Sequence, residues 1–177
     1  ELDVSEAALE MIVKEGFKGM SMQKLSKKAN VSPATLYLYF ENREDLLNKL
    51  YLEVRNRAHE AALKNFDPEM NFAEGLKLLW LNRYRYFIKH PLDFFFIEQF
   101  ISSPLVEAAA QMEDTAYKLP LQKFAKNAFS RGEIVDVTFE VYWPIAFAPL
   151  YQMLRFQLQP NMHFLKQPVI TEAKVLR

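Results

Sequence analysis

The 177-residue chain contains no cysteine and only four glycines. Without cysteine there is no disulfide framework, no thiolate metal site and no cysteine nucleophile, which fits a protein held in a reducing interior such as the cytoplasm. So few glycines leave too few turn signals for a sandwich of short strands. No uninterrupted apolar run approaches the roughly 18 residues that a membrane-spanning helix needs, and the opening stretch, ELDVSEAALEMIVKEG, is acidic and amphipathic where a secretory leader would be basic and apolar. Neither sign of charge predominates, with 22 basic and 22 acidic side chains. Enzyme signatures are missing as well. There is no HExxH, no GxSxG, no phosphate-binding glycine loop and no dinucleotide fingerprint, and His59, His90 and His163 stand far apart without metal-ligand spacing. No cofactor is implied. A small helical enzyme would have to rest on Ser102, Ser103 and Glu98, although serines ahead of Pro104 read more simply as a helix cap.

What is present is a chain that is 50% hydrophobic and 14% aromatic, enough to build a real core, with apolar residues at helical spacing. Val4, Ala7, Ala8, Met11 and Ile12 mark a first helix that Gly16 should end. Ser21 is an N-cap for a second, short helix with Met22, Leu25 and Ala29 inward and Lys24, Lys27 and Lys28 outward. Asn30, a residue tolerant of positive φ, makes the tight turn. Ser32 and Pro33 then open a third helix at N-cap and N1. Its core side holds Leu36 and Phe40, with Pro33 and Tyr39 at the margins, while Ala34 and Leu38 face away, flanked by Thr35 and Tyr37. Asn42 caps a longer fourth helix.

Two short helices joined by a tight turn, the second opening with small and hydroxyl-bearing residues, have the geometry of a helix-turn-helix. Ala34 leaves room for close approach to a major groove. Thr35 and Tyr37 can donate to phosphate oxygens, and the apolar edges of Pro33, Ala34 and Leu38 suit thymine methyls. Between Lys18 and Arg43 there are five basic residues against one acid, Glu41, a local excess of four in a neutral chain. A plain three-helix packing unit with solvated lysines is the competing reading.

The segments AALEMIVKEGF and SMQKLSKKANVSPATLYLYFENREDLL resemble the DNA-binding region of the TetR family of transcriptional regulators, over residues 4 to 50 without a gap. The resemblance implies an all-α homodimer, usually a repressor. An N-terminal three-helix helix-turn-helix domain, residues 1–48, would bind a double-stranded, pseudo-palindromic operator. A C-terminal helical domain, residues 49–177, would dimerise and bind a small-molecule effector. The family's recognition-helix contacts would fall on Pro33, Ala34, Thr35, Tyr37, Leu38 and Tyr39. Ser21 and Lys24 would add contacts from the second helix, and Arg43 would stand in for a phosphate-binding lysine. Asn30 and Ala34 occupy places where the family commonly has glycine, and Ser26 one where it has alanine. A non-catalytic helical interaction protein that has lost DNA binding is the alternative.

Beyond residue 50, Asn71 and Glu74 form a capping-box-like start to a helix carrying Leu76, Leu79, Trp80, Arg83, Tyr84, Phe87 and Ile88, which must break near Pro91. Phe94, Phe95, Phe96, Ile97 and Phe100 give the next helix almost no polar face. Pro104 is expected to begin another through Tyr117, restarted at Pro120 and closed by Arg131 and Gly132. Thr138 to Gln159 is long and apolar and should kink at Pro144 and Pro149; residues 170–177 read as a last helix. By resemblance the last two long helices form the dimer's four-helix bundle. Arg83 stands out, flanked by apolar side chains. It is either a structural ion pair, with Glu98 as the natural partner, or the anchor of an anionic ligand in a pocket walled by Trp80, Tyr84, Phe87, Phe96, Phe100, Phe124, Trp143, Phe147 and Tyr151. Those aromatics can equally be ordinary core.

Overall fold

The computed structural model describes residues 4–105, 115–159 and 171–175, and every regular element among them is an α-helix. In chain order these are α1 (Val4–Gly19), α2 (Met22–Ala29), α3 (Pro33–Tyr39), α4 (Arg43–Ala62), α5 (Phe72–Lys89), α6 (Pro91–Ile101), α7 (Thr115–Ser130), α8 (Phe139–Leu158) and α9 (Glu172–Val175). The helix expected between Pro104 and Tyr117 lies mostly outside the described residues, as does most of the stretch from 160 to 177. None of the described helices is long and apolar enough to cross a membrane.

The helix boundaries follow from local chemistry. Ser21 accepts a hydrogen bond from the Lys24 amide at 3.2 Å, Ser32 from the Thr35 amide at 3.0 Å, Asn42 from the Asp45 amide at 2.9 Å and Asn71 from the Glu74 amide at 2.9 Å. Each cap occupies one amide that would otherwise lack a partner in a helical first turn. Asn30 sits at φ 56°, ψ 42°, and the turn is closed by amides of Asn30 and Val31 donating to the carbonyls of Lys27 and Ser26. Gly132, at φ 69°, closes α7 in the same way through bonds to Phe129 and Ala128. Gly16 interrupts α1 at φ 72°, ψ 174°, and one further turn follows it.

Two compact units divide the chain: Glu1–Arg57 with His90–Glu113, and Ala58–Lys89 with Asp114–Arg177. In the first, α1 supplies Ala7, Ala8, Met11 and Ile12 to a core that also takes Leu25, Leu36, Leu47, Leu50 and Val54. Helix α6 packs on α1 in this unit. Phe96 and Phe100 meet the edge of Phe17 at 6.2 and 6.1 Å between ring centres, and Phe100 stacks on Tyr51 at 4.0 Å. Asp93, only 2% exposed, receives the Arg57 guanidinium in a fork, Nε to Oδ2 at 2.8 Å and Nη2 to Oδ1 at 2.6 Å.

In the second unit α5, α7 and α8 surround a core of Leu79, Leu121, Phe124, Tyr142, Ala146 and Phe147. Gly75 of α5 is a point of close approach, since a Cβ there would lie 2.5 Å from the ring of Phe124. Pro144 and Pro149 leave α8 a single helix. Each proline deprives the carbonyl four residues earlier of its donor, but those carbonyls belong to Glu140 and Ile145, both exposed, where water can replace the bond.

Candidate nucleic-acid interface and buried cationic centre

Helix α3 is held by little more than one side chain. Leu36 is 1% exposed, whereas Tyr37, Leu38 and Tyr39 are 55, 82 and 69% exposed, and Pro33, Ala34 and Thr35 also face solvent. Pro33 and Tyr39, which the helical wheel places at the core margin, therefore join the outer surface. The six residues expected on a recognition helix are thus brought together on one seven-residue segment. No charged side chain interrupts them, and the Thr35 and Ser32 hydroxyls are 2.8 Å apart. Such a surface offers methyl and ring groups suited to base edges and hydroxyls suited to phosphate oxygens.

The cations around it are less free than their number suggests. Lys24 pairs with Glu15 at 3.0 Å and also donates to the Gly19 carbonyl, while Lys28 pairs with Glu10 at 2.8 Å. The hydrogen bond from Lys28 holds the Glu10 carboxyl below the usual carboxylate range. Lys49 pairs with Asp45 at 2.9 Å and donates to the Tyr39 carbonyl, tying the end of α3 to α4. Ser21 is exposed but engaged as an N-cap. Arg43 turns inward: its Nε donates to the Met20 carbonyl at 3.0 Å and its Nη2 to the Phe17 carbonyl. Lys18 and Lys27 are exposed with no ion pair to a described residue.

The second unit holds a different centre. Arg83 is 2% exposed. Its Nη1 donates to the Leu79 carbonyl at 3.0 Å and its Nη2 to the Tyr117 hydroxyl, so neither bond goes to Glu98, which belongs to the first unit. The guanidinium carbon lies 4.3 Å from the ring centre of Phe147, 5.4 Å from Trp143 and 5.7 Å from Tyr117. His59 stacks on Tyr117 at 3.5 Å. Trp80 donates its indole N–H to the Ala146 carbonyl at 2.7 Å, Phe87 meets Tyr151 at 6.3 Å, and Phe124 lies among Phe66, Phe72 and Gly75. Tyr84 is buried on α5.

Eight of the ten expected pocket residues thus belong to this unit, whereas Phe96 and Phe100 belong to the core of the other. Sequence reasoning missed Tyr142. Its hydroxyl is buried without a hydrogen-bond partner, and burial pushes it up to about 12, with the nearby charge of Arg83 pulling the other way. The same residue lines a surface groove of about 260 Å³ bounded by Gln122, Lys126, Phe129, Val137 and Phe139.

The short second helix, left-handed turn and exposed third helix define the chain as an all-α helix-turn-helix protein. Residues 5–50 match the family described as bacterial regulatory proteins, tetR family. An HTH-type transcriptional regulator of Haemophilus influenzae is 32% identical over 94 residues, which are 53% of this chain and 50% of that protein. The chain therefore spans about half the length of such curated relatives. Likeness in structure extends further. A TetR-family regulator from Marinobacter aquaeolei, 27% identical, superposes with a TM-score of 0.70 over 92% of this chain and 85% of that one. A TetR-family regulator of Haemophilus influenzae, 22% identical, gives 0.76 over 97% and 90% and shares the fold. Residues 5–50 thus resemble the DNA-binding region of tetR-family regulatory proteins, and the described chain shares the fold of TetR-family structures.

Proposed function

We propose that this regulator is a ligand-responsive repressor that binds a pseudo-palindromic operator as a homodimer and acts in the cytoplasm. The observation that carries the reading is α3 itself, a helix fastened by Leu36 that exposes Thr35, Tyr37 and Leu38 together. Two such helices in a twofold dimer would enter successive major grooves about 34–36 Å apart. Residues 1–48 would read DNA, and residues 49–177 would dimerise and receive the effector. Support for the dimer comes from apolar residues left on the outside of α7 and α8: Leu119 is 59% exposed, Phe129 43%, Val141 48% and Ile145 70%. Support for an effector site comes from the aromatic surroundings of Arg83. A ligand that prefers one dimer geometry would shift the spacing of the two recognition helices and so release DNA.

Selection of bound duplexes from a randomised pool, followed by affinity measurement at several salt concentrations, tests this reading. A palindromic consensus bound by a dimer, with affinity falling as salt rises, is the expected result. Equal binding to every duplex, or none, sinks it.

A further inference from the structure

We infer that Lys49 is a positioning residue of DNA recognition: together with Asp45 it clasps the C-terminal end of α3 to α4 and so fixes the angle at which α3 enters the groove. This rests on the regulator reading, because a helix that meets no DNA has no such angle to keep.

Seven residues are too few for a helix to hold itself in water. The direction of α3 therefore depends on what fastens it. Leu36 is its single buried side chain, and one point of attachment leaves a helix free to pivot. Tyr39 is the last residue of α3, and its carbonyl has no amide one turn ahead, because Phe40 already leaves helical geometry at φ −131°, ψ 120°. Lys49 Nζ supplies the missing donor at 3.0 Å, a cation at the negative end of the helix. The same nitrogen is 2.9 Å from Asp45 Oδ2, and that oxygen also accepts the Glu41 amide at 3.0 Å. The ring centre of Phe40 lies 5.6 Å from Nζ. The clasp thus grips the backbone on both sides of Phe40, at the Tyr39 carbonyl and at the Glu41 amide. Its base is itself fixed, since the Asp45 amide donates to the Asn42 cap at 2.9 Å. The hydrogen bond from Lys49, and after it the one from the Glu41 amide, hold the Asp45 carboxyl below the usual carboxylate range, so the arrangement is intact at neutral pH.

Folding gains little from it. The Lys49 and Asp45 side chains are 53 and 23% exposed, and ion pairs so open to water contribute weakly to stability. Geometry is where the clasp counts. A binding group must be held within about 0.5 Å and 10–20° of its productive position, and Tyr37 and Leu38 stand within one turn of the clasped carbonyl. A lysine engaged by a carboxylate and a carbonyl has a different duty from one that meets a phosphate, and the two duties predict opposite results.

The test uses the full chain, the consensus duplex selected from a randomised pool and a scrambled duplex of equal length. Lys49→Met should weaken binding to the consensus about tenfold and to the scrambled duplex no more than about twofold, with the slope of log K against log salt unchanged. Asp45→Ala should erode the preference in the same direction, and the double variant should lose no more than the worse single one, since both act through one clasp. Urea midpoints should stay close to that of the unaltered protein. Equal losses on both duplexes in step with a lower midpoint would make the role merely structural and overturn the inference. So would a uniform loss with a slope shallower by about 0.9, or tighter binding by Asp45→Ala, either of which makes Lys49 a phosphate contact. A consensus that Lys49→Met prefers as strongly as before overturns the inference and leaves the regulator reading standing. If the unaltered protein selects no consensus, the regulator reading itself fails and this inference falls with it.

Discussion

Arg43 donates from Nε to the carbonyl of Met20 at 3.0 Å and from Nη2 to the carbonyl of Phe17, so that one side chain at the start of α4 clasps the end of α1 and its connection to α2. A cation at this place in the chain invites assignment as a phosphate contact. The geometry gives it an internal duty first, since the position of α2 depends on the segment that Arg43 holds.

Arg43→Ala should therefore lower stability as well as DNA affinity. Two charge-assisted bonds disappear and two carbonyls lose their donor, which amounts to about 1–3 kcal/mol. A urea titration checks this, with the midpoint falling at an unchanged slope. A residue serving only as a phosphate contact would leave the midpoint where it was and would merely flatten the dependence of binding on salt.

Leu38 makes the opposite prediction. At 82% exposure it contributes little to the core, so Leu38→Ala should change stability by no more than about 0.5 kcal/mol. Its expected cost is in DNA affinity, several-fold and nearly independent of salt because no charge is removed. If the leucine meets thymine methyls, replacing thymine by uracil at the contacted step should weaken the native protein and have little further effect on the variant. Additive losses would count against that contact.

The pairs Lys24–Glu15 and Lys28–Glu10 hold back two cations in the helix before α3. Acid cannot release Lys28 near neutrality. The Glu10 carboxyl is depressed by its hydrogen bond to Lys28, so the pair's contribution is complete above the ordinary carboxylate range and is lost only as pH falls through the lower folded value. Mutation can release it. The double variant Glu10→Gln, Glu15→Gln should bind duplex more tightly at low salt, with log K falling more steeply against log salt by up to about 0.9 for each lysine that reaches a phosphate. An unchanged slope would show that neither lysine lies within reach of DNA.

These pairs also mark where sequence reading ends. Caps and turns at Ser21, Asn30, Ser32, Asn42 and Gly132 were readable because each depends on bonds within a few residues. The all-helical class and the exposed surface of α3 followed from spacing. The charge excess counted cations that are already paired, because the acids bound by Lys24 and Lys28 lie 9 and 18 residues back along the chain, outside any local window. The packing partner of helix α6 was illegible for another reason. With Phe94, Phe96 and Phe100 all buried it has no distinguishing face, so its pattern shows that it is buried without showing against what. Around Arg83 the sequence pointed to Trp143 and Phe147 but not to Tyr117, which approaches it from a helix 34 residues along the chain.

Gly75 should resist replacement even though it sits inside a helix. Alanine there gains about 1 kcal/mol of intrinsic helix preference. Its Cβ, however, would stand 2.5 Å from the Phe124 ring, which is fully buried against Phe66 and Phe72 and has nowhere to retreat. Overpacking of this kind costs about 1–3 kcal/mol, so a net loss is expected on thermal denaturation. Adding Phe124→Leu should recover part of it. Independent, additive losses would mean that the contact does not set the spacing of α5 and α7.

Tyr142 gives a stability signature at alkaline pH that follows chiefly from its burial, against which the charge of Arg83 pulls. Its hydroxyl is raised from 10.0 to about 12, so the phenol ionises more readily in the unfolded chain than in the folded one. Below pH 10 both states keep the proton and the fold is unaffected. As pH climbs from 10 to 12 the unfolded chain releases it first, and stability falls by an amount on the order of 2–3 kcal/mol before levelling off above the folded value. Tyr142→Phe should remove this component of the alkaline loss, and because it also removes a buried donor without a partner it should leave the neutral protein at least as stable as before. Chemical denaturation of both proteins at pH 8 and pH 11.5 checks the pair of effects. An identical alkaline loss in the variant would place the phenol in water, and a marked loss at pH 8 would show that its hydroxyl has a partner in the fold.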